Sequence, residues 1–266
     1  MRPAQHHRRR PGGRLPGTGD WLYGRRPVLE ALRARRRAIH ELWLADSSVR
    51  HGADDDLVEM HRLAQAAGAI CKTVARDEWK VLPEGANHQG VALRVGGYPY
   101  VGFETILQAV ERDPSALVLI LDHIEDPQNV GSLLRTADAA GVTGVVLPED
   151  RAAGVTPAAV RASAGASEHL QVAHVVNLVR AIDALKKQNC WITGLDAGAD
   201  ARPYQDIDYR GRCALVVGNE GEGLGRLVRE HCDFIARLPM RGHVASLNAG
   251  VAGALAMYEV VRQRGS

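Results

Sequence analysis

The sequence predicts an α/β protein in which a small mixed α/β unit precedes a larger unit built on a parallel sheet. Three observations predict it. From Trp21 to about Tyr98 short helical and strand patterns alternate, whereas beyond Ala116 the strand candidates are continuous apolar runs, as strands covered on both faces require. Between them Gly96, Gly97 and Pro99 break the pattern. The expected division is a basic tail over 1–19, a first unit over 20–98 and a second over 99–266.

In the first unit the order is helix PVLEALRARR, strand HELWLAD, helix DDLVEMHRLAQAAG, strand AICKTV, a short helical DEWKVL and strand GVALRV. GGYPYVGF reads as a linker into the helix ETILQAVERD. The strand candidates LVLIL, GVVLP, LQVA, CWITG, ALVVG and FIARLP follow, separated by helical segments. Ligands of such sheets bind beyond the carboxyl ends of the strands, so the residues after LVLIL, CWITG, ALVVG and FIARLP are where chemistry is expected.

Composition narrows the class. A chain of 266 residues with 45% hydrophobic content has ample material for a core. No apolar run reaches the roughly 18 residues of a membrane span, and the start MRPAQHHRRRPGGR lacks the apolar stretch of a secretory signal, so a cytosolic protein is expected. Cys71, Cys190, Cys213 and Cys232 are scattered in apolar surroundings, which reads as buried thiols; no metal site is indicated. The net charge of +2 conceals an asymmetry, because Arg2, Arg8, Arg9, Arg10 and Arg14 stand in a stretch with no acid. Such a tail is expected to be disordered, and is either a set of non-specific phosphate contacts or a solvated leader; a mitochondrial transit peptide is the weaker third reading, since the stretch is short and not amphipathic.

Three segments carry candidate chemistry. In DHIEDPQNVGSLLRTADAAGV, Pro127 suits a first helical position, and Val130, Leu133, Leu134 and Ala137 form a buried stripe. Asn129, Ser132 and Arg135 lie on the opposite side, where a guanidinium is usually only solvated but at a strand end could clamp a phosphate. After ALVV comes Gly218-Asn219-Glu220-Gly221-Glu222-Gly223-Leu224-Gly225, whose alternate glycines permit close approach of a ligand. Its two acids disfavour a pyrophosphate and suit a cationic, hydroxyl-bearing ligand, and it is neither G-x-G-x-x-G nor a Walker loop. In LPMRGHVASLNAGVAGALAMYE, Ser246 is a plausible N-cap of an Ala- and Gly-rich helix, Asn248 could reach a reacting group, and His243 lacks a carboxylate partner and reads as a surface histidine.

In order and spacing these segments resemble the three motifs of the TrmH (SpoU) family of RNA ribose 2'-O-methyltransferases, over residues 117–262. Y-G-R-R-P-V-L-E-A-L and N-H-Q-G-V-A-L resemble the L30e-like RNA-binding domain of the branch that methylates a guanosine ribose of 23S rRNA. The resemblance implies a SPOUT fold with a trefoil knot at the carboxyl end, S-adenosylmethionine held in the knot, a homodimer, and RNA rather than DNA as partner. By position it implies cofactor contacts at Gly194, Gly218, Leu238, Met240 and Leu247, and places Arg135, Asn129, Glu220, Ser246 and Asn248 at the reacting ribose. Where family members commonly have N-V-S-V-A, this chain has Asn248-Ala249-Gly250-Val251-Ala252. Methyl transfer needs alignment of oxygen, carbon and sulfur and removal of a proton; Arg135 is the candidate for organising the hydroxyl through the neighbouring phosphate. A tRNA ribose as substrate and a catalytically silent RNA-binding factor are the alternatives.

Overall fold

The computed structural model describes residues 19–46, 54–198, 200–243 and 246–265. The expected basic tail, with Arg2, Arg8, Arg9, Arg10 and Arg14, lies outside the described residues, as do Val244 and Ala245 of the third motif.

The first unit is a sheet of β1 (Asp20–Tyr23), β2 (Ile39–Ala45), β3 (Ile70–Val74) and β4 (Val91–Val95) in the order β1-β4-β2-β3, with helices α1 (Arg25–Ala34) and α2 (Asp55–Ala66). Strand β2 runs parallel to β3 and antiparallel to β4, which is antiparallel to β1. Strand alternation divides the side chains: Leu22, Leu42, Leu44, Leu93 and Val95 join the helices in one core, and Tyr23, Val74 and Ala92 face the other way, toward Trp79. One expectation needs correction: the sequence pattern passes over β1, whose four residues are too few to show a period. The short helical DEWKVL is present as a 3-10 turn, Glu78–Val81.

The second unit is a seven-stranded, wholly parallel sheet of β5 (Leu117–Asp122), β6 (Gly144–Pro148), β7 (Val172–Val175), β8 (Trp191–Leu195), β9 (Arg202–Pro203), β10 (Cys213–Gly218) and β11 (Phe234–Arg237). Its order is β7-β6-β5-β10-β8-β11-β9, so β10 inserts between β5 and β8. The six predicted apolar strands are all present, and β7 begins two residues later than LQVA suggested. The two-residue edge strand β9, with its proline, had no readable signal.

Helices cover both faces, as the apolar runs required. On one side lie α4 (Pro127–Ala139), α5 (Pro157–Ala162) and α8 (Ala249–Arg264); on the other lie α3 (Phe103–Arg112) and α6 (Leu178–Lys187), with the short α7 (Arg226–Glu230) beside them. Helix α4 is clamped. A Cβ at Gly131 would stand 2.3 Å from the Cβ of Ala162, and one at Gly253 of α8 would stand 2.3 Å from Cδ2 of Leu133, so only glycine permits these backbones to approach. The small-residue character of the last helix therefore has a packing cause.

The two sheets are joined by more than a tether. Arg37 donates from Nε to Oε2 of Glu168 at 2.8 Å and from Nη2 to Oε1 at 2.6 Å, and their side chains are 0% and 1% exposed. The Tyr98 hydroxyl donates to the carbonyls of Ser167 and Leu170, and Val101 N donates to the Val172 carbonyl at 2.9 Å, which extends the sheet at β7. Removing one partner of a buried bidentate ion pair leaves an uncompensated charge. Arg37→Met should lower the free energy of unfolding by about 3–5 kcal/mol, read from urea titration, and the double variant Arg37→Met/Glu168→Leu should recover most of that loss.

Candidate functional site

The loops after β8, β10 and β11 converge on a cavity of about 300 Å³. It is lined by Leu195–Ala197, by Val217–Gly223 and by Leu238, Met240, Ser246 and Leu247, with Ala249 and Ala252 of α8 closing one wall. Its position beyond the carboxyl ends of parallel strands is the one such sheets reserve for ligands. The walls combine apolar side chains with the carboxylates of Glu220 and Glu222, a lining that suits a nucleoside bearing a positive charge.

The loop after β10 is folded back on itself. Asn219 and Gly223 exchange two backbone hydrogen bonds, N to O at 3.1 and 2.9 Å, and the Asn219 side chain caps the turn by accepting from Gly221 N at 2.9 Å. Gly223 has φ +70°, and a Cβ on Gly218 would lie 2.3 Å from the Gly223 carbonyl oxygen. Two further bonds moor the loop to the end of β5: Asn219 Nδ2 donates to the His123 carbonyl at 3.1 Å, and Gly225 N donates to Oδ2 of the fully buried Asp122 at 2.7 Å. Asp122 and Asn219 were not among the residues singled out from the sequence, although an aspartate ending an apolar strand is a signal of this kind.

At the rim of the cavity Oε1 of Glu220 accepts three donors. Asn129 Nδ2 of α4 stands at 2.8 Å, Asn248 Nδ2 at 2.5 Å and Ala249 N, at the start of α8, at 3.2 Å. Asn248 Nδ2 also donates to Asn129 Oδ1 at 2.7 Å, and Asn248 Oδ1 accepts from Val251 N at 3.2 Å. Three segments far apart in sequence thus meet on one carboxylate oxygen.

The placements can be compared with expectation one by one. Gly218, Glu220, Leu238, Met240, Ser246 and Leu247 line the cavity, and Asn129 and Asn248 join it through Glu220. Asn129 is buried, not on an open helix face, because Glu220 and Asn248 draw it inward. Gly194 is not a lining residue: the space above it is filled by Leu224 and Cys232, at 2.6 and 2.9 Å from a virtual Cβ, and the next three residues form the wall instead. Ser246 does not cap α8. Asn248 does, because its side chain reaches the amide of Val251 and the helix begins at Ala249. Arg135 is exposed on α4 and lies outside the cavity, about 9 Å along the helix axis from Asn129. At Gly250 a Cβ would stand 3.0 Å from Ser132 Oγ and 3.0 Å from Asn248 Oδ1, so the absence of a side chain there leaves room for the Ser132 hydroxyl.

Away from the cavity lining, burial pushes the thiols of Cys190 and Cys232 up to about 12 and that of Cys213 up to about 11, which leaves them protonated. Among the described residues no His, Cys, Asp and Glu group is arranged to hold a metal ion.

The chain resembles known proteins along most of its length. Residues 116–258 match the model of the SpoU rRNA Methylase family, and residues 21–101 match that for RNA 2'-O ribose methyltransferase substrate binding. YacO of Bacillus subtilis (strain 168), named for the TrmH family of tRNA/rRNA methyltransferases, is 42% identical over 92% of this chain and 96% of its own length. The crystal structure of the SpoU methyltransferase AviRb from Streptomyces viridochromogenes, in complex with AdoMet, superposes with a TM-score of 0.77 at 26% identity, over 94% of this chain and 91% of that one. A TrmH/SpoU tRNA modifying enzyme of A. aeolicus superposes over 61% of this chain and 82% of its own, with a TM-score of 0.53 at 25% identity. With its catalytic-type and substrate-binding regions both matched, the chain belongs to the SpoU (TrmH) family of RNA methyltransferases.

Proposed function

We propose that this protein transfers a methyl group from S-adenosylmethionine to a ribose 2'-hydroxyl of RNA, with a guanosine of 23S rRNA as its substrate. The observation that carries the reading is the Glu220–Asn129–Asn248 cluster at the rim of a strand-end cavity lined by Gly218, Leu238, Met240 and Leu247. AdoMet in the AviRb complex supports the cofactor, and the substrate-binding region over 21–101 supports RNA as partner. The large-subunit substrate is favoured over tRNA because the tRNA modifying enzyme of A. aeolicus aligns with only 61% of this chain. In this reading 20–98 serves RNA binding, 99–266 serves catalysis with a trefoil knot around the cofactor, and the protein works in the cytosol.

The cofactor supplies an electrophilic methyl group on a cationic sulfur. Everything else falls to this chain. Glu220 and Glu222 place negative charge beside the cavity, Asn129 and Asn248 offer polar atoms at its rim, and the apolar lining excludes water from the displacement. Arg135 organises the phosphate beside the reacting hydroxyl. Within one copy it stands apart from the cavity, which favours a paired arrangement. Val251, Leu255, Tyr258 and Val261 of α8 are 37–53% exposed and repeat at helical spacing, an apolar stripe on the helix that packs against α4. A second copy seated on this stripe would lie beside Arg135 and complete the site.

Labelled methyl from S-adenosylmethionine should appear on a 2'-oxygen of a large-subunit guanosine when total rRNA from a strain lacking its own ribose methyltransferases is the acceptor; label confined to tRNA would replace the substrate and keep the chemistry. Arg135→Ala should abolish transfer and leave cofactor affinity, measured by calorimetry, within about twofold; loss of cofactor binding would remove Arg135 from its assigned role. Gly218→Ala should do the reverse of a purely chemical defect, weakening cofactor binding by about 1–3 kcal/mol, because its Cβ would collide with the Gly223 carbonyl.

A further inference from the structure

The outer face of the four-stranded sheet carries an aromatic row that the cavity beyond the second sheet does not use. Trp21 on β1 and Trp43 on β2 pack with ring centroids 4.6 Å apart, Trp43 meets Trp79 edge-on at 6.2 Å, and Trp79 stacks on His88 at 3.9 Å. Three of the four tryptophans of the chain are therefore gathered on one sheet face. Trp79 is buried in a small satellite core, whereas Trp21 and Trp43 remain half-buried above it.

The row is preorganised. Trp43 Nε1 donates to Glu41 Oε1 at 2.8 Å, and Arg94 Nε donates to Glu41 Oε2 at 3.2 Å, while Lys72, 51% exposed, also pairs with Glu41. One carboxylate thus fixes the indole and holds two cations beside it, so that in this group the cations outnumber the acid. At the β1 edge the Arg161 guanidinium lies over the Tyr23 ring, 5.2 Å from its centroid, and adds a further cation. Arg161 belongs to α5, which packs against Gly131 of α4, the helix that carries Asn129. The aromatic face and the cluster around Glu220 are therefore linked through two adjoining helices.

We propose that this face is a stacking platform for unpaired nucleotides of the RNA substrate, with Trp21 and Trp43 taking base faces and Lys72, Arg94 and Arg161 taking phosphates. The proposal rests on the reading of the protein as an RNA methyltransferase and adds the structural class of the RNA: single-stranded, as in a loop. Indole faces bind bases that have been unstacked, and the bases of a duplex are not available to them. The cations supply the charge complementarity that a phosphate backbone requires.

The test uses the full chain and a mixed-sequence single-stranded oligoribonucleotide, compared with the same sequence annealed to its complement. The single strand should quench tryptophan fluorescence and bind about tenfold more tightly than the duplex. Trp21→Leu and Trp43→Leu retain an apolar cover over the satellite core, and each should weaken single-strand binding by about tenfold with an unchanged urea midpoint. Lys72→Gln and Arg94→Gln leave both indoles in place and should reduce affinity at low salt and flatten its salt dependence. Equal binding of duplex and single strand, or wild-type affinity in both folded leucine variants, would overturn the platform. Methyl transfer to rRNA is measured in parallel: transfer that persists with no tryptophan dependence of binding sinks the platform alone, whereas tryptophan-dependent binding without any transfer supports the platform and sinks the enzymatic reading.

Discussion

The second sheet and its cavity depend on one oxygen atom. Oε1 of Glu220 takes hydrogen bonds from α4, from the residue before α8 and from the first amide of α8, so the loop after β10 cannot move without loosening two helices. Water competes for an exposed carboxylate such as Glu220, so the three bonds matter more for fixing geometry than for stability, and the same atoms define the rim of the cavity. Asp122 repeats the device on a smaller scale at the end of β5, where a buried carboxylate holds Gly225 and thereby the far end of the loop.

Much of this architecture was legible in the sequence because parallel strands covered on both faces announce themselves as unbroken apolar runs. LVLIL, GVVLP and ALVVG needed no context to be read as buried strands. What could not be read was short or relational. DWLY and Arg202–Pro203 span too few residues to show a period. Ser246 and Asn248 are both good capping residues, and only the position of the Val251 amide decides between them. The resemblance implies a cofactor contact at Gly194, but a strand end has two sides, and Leu224 and Cys232 occupy the one toward which a side chain there would point. Asn129 was read from helical spacing as exposed; a partner ninety-one residues away in the chain buries it.

The connection between the two sheets also escaped a linear reading. The glycines and proline around Tyr98 suggest a pliant linker, but Tyr98 and Val101 are fastened to Ser167, Leu170 and Val172, and the Arg37–Glu168 pair seals the junction from water. A sheet presented by so rigid a junction holds its outer face at a fixed distance from the cavity. The first unit and the cavity are thus separated by the protein's own dimensions.

The insertion of β10 between β5 and β8 has a consequence for biosynthesis. While the chain is being translated, β5, β6 and β7 emerge and pair in succession, but the inner edge of β5 stays without its neighbour until β10 leaves the ribosome. Asn248 and α8 emerge later still. The nascent protein therefore carries an open, strongly apolar strand edge for a long interval, exposed to chaperones and to other nascent copies, and the cavity gains its last wall only after every strand of the sheet has been made.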